Sequence, residues 1–214
     1  MGDKGQTEMS ECWIFGSADA DGFDSTVIPR DAFVIAADGG YGHVKRLGIN
    51  PDIILGDFDS LDEEISHRCE IITAPAQKDD TDMMLAVKKA LSIGYKNITL
   101  CGALGGRFDH TFANIQTLEY IAENGGTGRI FSSNDIIMLQ DSLKCQYKRA
   151  DGYYFSLFSL ANETIISVTG VKYPLSEYPL KRSFPLGVSN EITDDYACVA
   201  IKSGKLLVVY SKKR

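Results

Sequence analysis

The chain of 214 residues has the length of one large domain or two small ones, which is enough to bury a hydrophobic core. Hydrophobic residues make up 44% of it and charged residues 24%, as in ordinary soluble globular proteins. The formal net charge of −7 argues against a general nucleic-acid surface and against a surface for anionic membranes.

The cysteines and the N-terminal segment bear on the compartment. Five scattered cysteines without a CxxC pair indicate reduced thiols rather than a zinc site or a disulfide framework. Residues 1–11 are polar and lack the apolar core of a signal peptide. No apolar run approaches the roughly 18 residues that a transmembrane helix needs. We therefore expect a cytoplasmic protein.

The first part of the chain alternates short apolar strands with amphipathic helices. The predicted strands cover residues 12–16, 33–37, 53–55, 71–73, 97–101, 129–131 and 136–139. Apolar residues at helical spacing predict helices over 41–47, over 81–93 and around 112–121, where Phe112, Ile115, Leu118 and Ile121 form one stripe. This alternation implies βαβ units and a largely parallel sheet.

The pattern changes near residue 141. Strands are predicted over 153–160, 164–169, 198–201 and 206–210, and no segment has a helical pattern. Ser203-Gly204 predicts a hairpin turn between the last two strands. We therefore expect an α/β domain over 1–140 and an all-β domain over 141–214. The second domain is small, so we expect it to pack on a neighbour or a second subunit.

Two carboxylates follow the third predicted strand, in Gly56-Asp57-Phe58-Asp59-Ser60. Residues two apart in extended backbone point the same way, so Asp57 and Asp59 would project together from the carboxyl end of the strand. Such a pair suits Mg²⁺, and open α/β sheets bind ligands at this edge. A turn in which Asp and Ser bond to the local backbone is the commoner explanation of an isolated Asp-x-Asp pattern.

Two further acidic features follow strands or open a helix. Asp38 comes after the second strand, beside two glycines that let the backbone approach a ligand, although a simple acidic turn also explains it. Lys78-Asp79-Asp80-Thr81-Asp82 opens the helix over 81–93. Helix capping needs only one or two of these groups. The excess predicts that Asp82 faces a metal and Lys78 a phosphate.

A glycine-rich loop, 102–106, leads through Arg107-Phe108-Asp109-His110 into the next helix. Such a loop presents backbone N–H groups to anions, and the Arg107 guanidinium suits phosphate oxygens. The loop is neither a Walker A motif nor a GxGxxG motif. We interpret His110 as a capping or packing residue and assign it no chemistry.

Several motifs, taken in order, resemble the thiamin pyrophosphokinase family: ADGG (37–40), PDIILGDFDS (51–60), KDDTD (78–82) and GALGGRFDH (102–110). GVKYPL (170–175) and GVSNE (187–191) resemble the thiamin-binding half of that family. The resemblance implies a Rossmann-like parallel-sheet catalytic domain followed by a C-terminal β-sandwich, in a homodimer with active sites between the subunits. It also implies transfer of the diphosphoryl group of ATP to the thiamin hydroxyl, with release of AMP.

The resemblance further implies roles for particular residues. The Mg²⁺-associated carboxylates match Asp57, Asp59 and Asp82, and an acidic position near the reacting groups matches Asp38. The ATP site matches Lys78, Asp79, Thr81, Arg107 and Asp109. The segment that contacts the thiamin ring matches Ser189 and Asn190, and Tyr173 stands where some members carry a tryptophan.

Other functions remain open from the sequence. One is a diphosphokinase for another alcohol, such as a hydroxymethyl pterin, although GVSNE and the β domain favour thiamin. Another is a non-catalytic thiamin or nucleotide sensor, which would have no need of the acidic residues and Arg107. A metal phosphohydrolase is a third, but the chain has no obvious nucleophile arrangement and no His-rich metal cluster.

Overall fold

The computed structural model describes residues 11–20, 22–56, 69–73 and 79–213. The chain separates into two compact units, Met1–Ser133 and Asn134–Arg214. The functional division at residues 140 and 141 stays a prediction.

The first unit contains a parallel sheet. Its described strands are β1 (Cys12–Phe15), β2 (Phe33–Ala37), β3 (Ile53–Gly56), β4 (Glu70–Thr73), β5 (Asn97–Cys101) and β6 (Thr127–Phe131). Every pairing among them is parallel, in the order β4-β3-β2-β1-β5-β6. The order changes direction at β1, where open α/β sheets form their ligand crevice. The predicted α/β class is confirmed.

Among the described residues, three α-helices accompany this sheet: α1 (Gly40–Arg46), α2 (Asp82–Ser92) and α3 (Phe108–Glu123). α2 buries Met83, Val87 and Ala90 at the predicted helical spacing. β1 is buried at all four positions, as expected of a strand that is covered on both faces. Among the described residues, no helix combines the length and the hydropathy needed to cross a bilayer.

The buried face of α3 differs from the predicted apolar stripe. Leu118 and Ile121 are buried, but Phe112 is 48% exposed. Asn114 and Thr117 are buried in its place. Both polar side chains bond to main-chain carbonyl oxygens, Asn114 to that of Ala103 at 2.8 Å. The spacing of apolar residues cannot predict that a polar side chain such as Asn114 is buried, because its hydrogen-bond partner lies outside the helix.

The second unit is a β-sandwich, which confirms the predicted class. Its strands are β7 (Asp135–Gln140), β8 (Lys144–Lys148), β9 (Tyr153–Ser159), β10 (Glu163–Thr169), β11 (Leu175–Lys181), β12 (Tyr196–Ser203) and β13 (Leu206–Lys212). They form two antiparallel sheets, β7-β13-β9 and β11-β10-β12-β8. Phe155 and Val208 from the first sheet, and Ile166 and Val199 from the second, belong to one shared core.

The predicted hairpin at Ser203-Gly204 is wrong. β12 pairs with β10 and β8, whereas β13 pairs with β7 and β9, so the turn carries the chain from one sheet to the other. Ile201 before the turn and Leu206 after it are buried in the same core. Because both strands bury apolar side chains in this core, their sequence has the same apolar pattern as two strands that pair in a hairpin.

The sequence did not predict β8 and β11, which are the edge strands of the four-stranded sheet. β11 is largely exposed and contains Pro179, a residue that strands accept mainly at sheet edges.

Candidate active site

One small cavity, of about 90 Å³, lies at the carboxyl ends of β1, β2 and β5. Its walls come from the loops after these strands and from the first turns of α2 and α3. The lining residues are Gly16, Ser17, Ala18, Ala37, Asp38, Thr81, Asp82, Met83, Gly102, His110 and Asn114. On this measure a cavity needs roughly 10–15 Å³ to hold one water, so this one has room for a phosphate group or for an ion with a few waters.

Two glycines let the strand ends approach closely at this cavity. A Cβ at Gly40 would overlap the carbonyl oxygen of Phe15, and one at Gly102 would overlap that of Gly16. Gly102 also has φ +57°, a conformation that other residues rarely adopt. Its carbonyl oxygen accepts a 3.0 Å hydrogen bond from Ala18 N, which joins the loops after β1 and β5.

Asp38 is half-buried and has a left-handed backbone, with φ 49°. Its N–H donates to the carbonyl oxygen of Leu55 at 2.7 Å, and its own carbonyl oxygen accepts from Tyr41 N at 3.1 Å. These bonds hold a conformation that is unfavourable for a residue with a side chain. Strained backbone of this kind is concentrated at functional sites.

Thr81 and Asp82 have different positions at the start of α2. Thr81 is the N-cap, and its hydroxyl accepts from Met84 N at 3.2 Å. Asp82 lies in the first turn and lines the cavity beside Thr81. Asp80 pairs instead with Lys88, at 2.6 Å. The cap is therefore Thr81, and helix capping does not account for the carboxylate of Asp82 in the cavity.

The first two turns of α3 fix the glycine-rich loop. Asn114 Nδ2 donates to the carbonyl oxygen of Ala103 at 2.8 Å, and the Thr111 hydroxyl accepts from Gly105 N at 3.2 Å. The loop therefore has a defined shape. The N–H of Gly105 already has a partner, which lowers the number of donors that the loop offers to an anion.

Arg107 and Asp109 do not line the cavity. They form an exposed pair in which Arg107 Nη2 donates to Asp109 Oδ2 at 2.6 Å and Nε donates to Oδ1 at 3.2 Å. This hydrogen bonding lowers the pKa of Asp109 and raises that of Arg107. Both side chains are therefore charged at neutral pH. Asp79 is likewise exposed and outside the cavity lining.

Sequence reasoning assigned no role to two residues of the cavity, His110 and Asn114. They are four residues apart on α3 and therefore on the same face of the helix. That spacing, directly after a glycine-rich loop, is the signal that could have identified them.

Three predicted site residues, Asp57, Asp59 and Lys78, lie outside the described residues. Gly56, the last described residue before Asp57, is close to Asp38: a Cβ on it would lie 3.3 Å from Asp38 Cα. In the parts of the chain that the structure describes, no group of three or more His, Cys, Asp or Glu residues could hold a metal. Asp38 and Asp82 both line this cavity, and carboxylate oxygen is the donor type that Mg²⁺ prefers.

The predicted thiamin residues lie in the second unit. The Asn190 amide binds the main chain of Tyr173, accepting from Tyr173 N at 3.0 Å and donating to its carbonyl oxygen at 2.9 Å. The ring of Tyr173 is 60% exposed. Ser189 is exposed, has φ 58°, and donates its N–H to Ser156 Oγ at 2.9 Å. The amide of Asn190 thus positions Tyr173.

Two family descriptions match the chain in succession. The one described as "Thiamin pyrophosphokinase, catalytic domain" matches residues 25–127. The one described as "Thiamin pyrophosphokinase, vitamin B1 binding domain" matches residues 140–206. Together they cover most of the chain.

Individual relatives agree with these matches. Thiamine pyrophosphokinase of Bacillus subtilis (strain 168) is 28% identical over 184 residues, which are 83% of this chain and 86% of that protein. Thiamin pyrophosphokinase 1 of Caenorhabditis elegans is 26% identical over 187 residues, 81% of this chain and 76% of that protein. A crystal structure of thiamine pyrophosphokinase from Bacillus subtilis covers 96% of this chain, and this chain covers 100% of it, with a TM-score of 0.89 at 23% identity, which shows a shared fold. The chain belongs to the thiamin pyrophosphokinase family.

Proposed function

We propose that this protein is a thiamin diphosphokinase that transfers the diphosphoryl group of ATP to the hydroxyl oxygen of thiamin, giving thiamin diphosphate and AMP. The observation that carries the proposal is the presence of both family domains in one chain, in order. Nothing in these matches favours a pterin diphosphokinase or a non-catalytic sensor.

The reaction makes and breaks one bond at the β-phosphorus of ATP. The thiamin hydroxyl oxygen bonds to this phosphorus, the bond to the oxygen that bridges the α and β phosphates breaks, and that oxygen leaves with AMP. The hydroxyl proton is released. Transfer of this kind asks the protein mainly for positioning and for stabilisation of charge. A cavity at the carboxyl edge of a parallel sheet supports such a role.

We propose Mg²⁺ as the metal, held by Asp57, Asp59 and Asp82, with Asp38 near the reacting groups. The support is that two acidic residues, Asp38 and Asp82, line one cavity. When bound, the ion supplies positive charge that offsets the ATP phosphates in a protein of net charge −7.

For the nucleotide we propose the residues Lys78, Asp79, Thr81, Arg107 and Asp109. Lys78 and Arg107 would offset charge on the transferred group. Asp109 binds both Nε and Nη2 of Arg107, so it orients the guanidinium plane. Phosphate binding by Arg107 would use its remaining donors or displace Asp109.

For thiamin we propose Tyr173, Ser189 and Asn190. The exposed ring of Tyr173 suits stacking on an aromatic ligand. Asn190 already uses its side-chain oxygen and one N–H on Tyr173, so its remaining amide hydrogen is the donor it has left for a ligand.

We also propose a cytoplasmic homodimer with active sites at the subunit interface. The second unit exposes large apolar side chains, among them Phe184 at 60% and Leu186 at 43%. Both line a surface cavity of about 420 Å³. Exposed apolar groups of this kind are typical of protein interfaces.

The proposed function is tested by product analysis after the protein is mixed with ATP, Mg²⁺ and thiamin. We expect AMP and thiamin diphosphate to form in equal amounts. Formation of ADP and thiamin monophosphate would contradict diphosphoryl transfer. Turnover with a hydroxymethyl pterin instead of thiamin would assign another substrate. Thermal stabilisation by thiamin without any turnover would indicate a sensor.

A further inference from the structure

Residues 187–191 run beside β9 in the second unit. Phe155 N donates to the carbonyl oxygen of Asn190 at 2.8 Å, and Leu157 N donates to that of Gly187 at 2.9 Å. This segment, which contains the proposed thiamin residues Ser189 and Asn190, therefore continues the sheet as an irregular edge strand.

The other side of this segment binds the loop after β10. Val171 and Ile192 form an antiparallel bridge, and Lys172 N donates to the carbonyl oxygen of Glu191 at 2.9 Å. The residue after Lys172 is Tyr173, and the side-chain amide of Asn190 bonds to its main-chain N–H and carbonyl oxygen. Hydrogen bonds therefore connect β9 to residues 187–191, and residues 190 and 191 to the loop that carries the exposed ring of Tyr173.

Glu191 ties this arrangement together through its side chain. Oε1 accepts from Lys172 Nζ at 3.0 Å, and Oε2 accepts from Lys213 Nζ at 2.5 Å. Each ammonium also faces a tyrosine ring, Lys172 that of Tyr173 at 5.6 Å and Lys213 that of Tyr154 at 5.2 Å. The bonds from Lys213 and Lys172 lower the pKa of Glu191 to about 2, so its carboxylate is charged at neutral pH.

We propose that Glu191 is a positioning residue for the thiamin site. Through Lys172 it fixes the residue next to Tyr173, and through Lys213 it ties the same loop to the end of β13. Its negative charge also offsets the ammonium charge of Lys172, which faces the ring of Tyr173 that would receive the positively charged thiamin. Glu191 acts through Lys172 and Tyr173 rather than by touching the substrate. The inference rests on the proposed function.

The test is steady-state kinetics of Glu191→Gln with thiamin and ATP varied separately. We expect the KM for thiamin to rise about tenfold, while kcat and the KM for ATP stay within about twofold of wild type, the pattern of lost uniform binding. The reason is that the substitution frees Lys172 and Lys213 and loosens the loop that presents Tyr173.

Two comparisons separate this role from a general loss of structure. Glu177 pairs with Lys202 at 2.9 Å in the same unit, so Glu177→Gln removes a similar ion pair elsewhere and should leave every constant unchanged. If Glu191 acts through Lys172, the effects of Lys172→Met and Glu191→Gln on the thiamin KM should be clearly less than additive.

An unchanged thiamin KM in Glu191→Gln would overturn the proposal, as would parallel changes in both KM values and kcat. Calorimetry of thiamin binding to the wild type distinguishes this failure from failure of the proposed function. A wild type that neither binds nor converts thiamin would overturn both. An active wild type with an unaffected variant would overturn only the role of Glu191.

Discussion

At the scale of the residue, Asp38 and Asp82 have unusual positions for carboxylates. One stands on a left-handed backbone at the end of β2, and the other stands in the first turn of α2, where Thr81 already provides the cap. Both line the same cavity. The left-handed turn at Asp38 would favour glycine, and the N-cap of α2 is Thr81 rather than Asp82.

We predict that Asp82→Asn lowers kcat by about 100-fold, the cost of losing one strong electrostatic contact to the transition state. Asp80→Asn is the matched control, since it removes the same charge two residues away, where Asp80 pairs with Lys88. Its kcat should stay near the wild-type value because Asp80 does not line the cavity. Near-normal turnover of Asp82→Asn at saturating Mg²⁺ would contradict a role at the metal.

Glu191 gives a prediction for stability against pH. Lys213 and Lys172 lower its pKa in the folded protein from 4.5 to about 2. A lowered folded-state pKa contributes stability above the unfolded value, and this contribution is lost as the pH falls toward the folded value. Urea unfolding should therefore show wild type more stable than Glu191→Gln at pH 6, with the difference shrinking between pH 4.5 and 2. A difference independent of pH would speak against the ion pairs.

At the scale of the element, α1 offers two glycines in opposite environments. Gly40 touches the backbone of Phe15, whereas a Cβ at Gly42 would meet nothing within 4 Å. We predict that Gly40→Ala lowers the free energy of unfolding by about 1–3 kcal/mol through overpacking. Gly42→Ala should raise it by about 0.4–1 kcal/mol, because alanine restricts the unfolded chain. Urea denaturation measures both, and equal effects of the two substitutions would refute the close approach of α1 and β1.

Elements with a strong local signal were predictable from the sequence. β2 was predicted with its observed bounds, 33–37, because it is a continuous apolar run that ends at Asp38 and two glycines. The sequence also indicated the carboxyl edge of the sheet as the ligand-binding edge, and Asp38 and Asp82 line a cavity there. β11 was missed since its residues are mostly exposed and include Pro179.

Two other differences from the sequence predictions depend on partners that lie in another element or loop. The turn at Ser203-Gly204 has hairpin chemistry, but the core between two sheets decides where β13 pairs. Asn114 is buried because its partner, Ala103, lies in the preceding loop. Apolar periodicity does not contain that information.

At the scale of the whole molecule, the proposed homodimer makes a simple prediction. Sedimentation equilibrium should give twice the chain mass of 23.5 kDa at micromolar concentration. Active sites shared between subunits would also make specific activity fall on dilution below the dissociation constant of the dimer. A monomer with full specific activity at every concentration would contradict the shared site.

The place of β13 in its sheet also governs the order in which the two units can fold during synthesis. β13 follows all the other strands in the chain, yet it lies between β7 and β9 and is the strand with which both pair. Until residues 206–212 leave the ribosome, β7 and β9 lack this partner and expose their edges. The described strands of the first unit all precede residue 134, so the sheet of this unit can form while the second unit is still incomplete. Translation pauses late in the message would therefore leave a finished first unit attached to an unfinished, aggregation-prone sandwich.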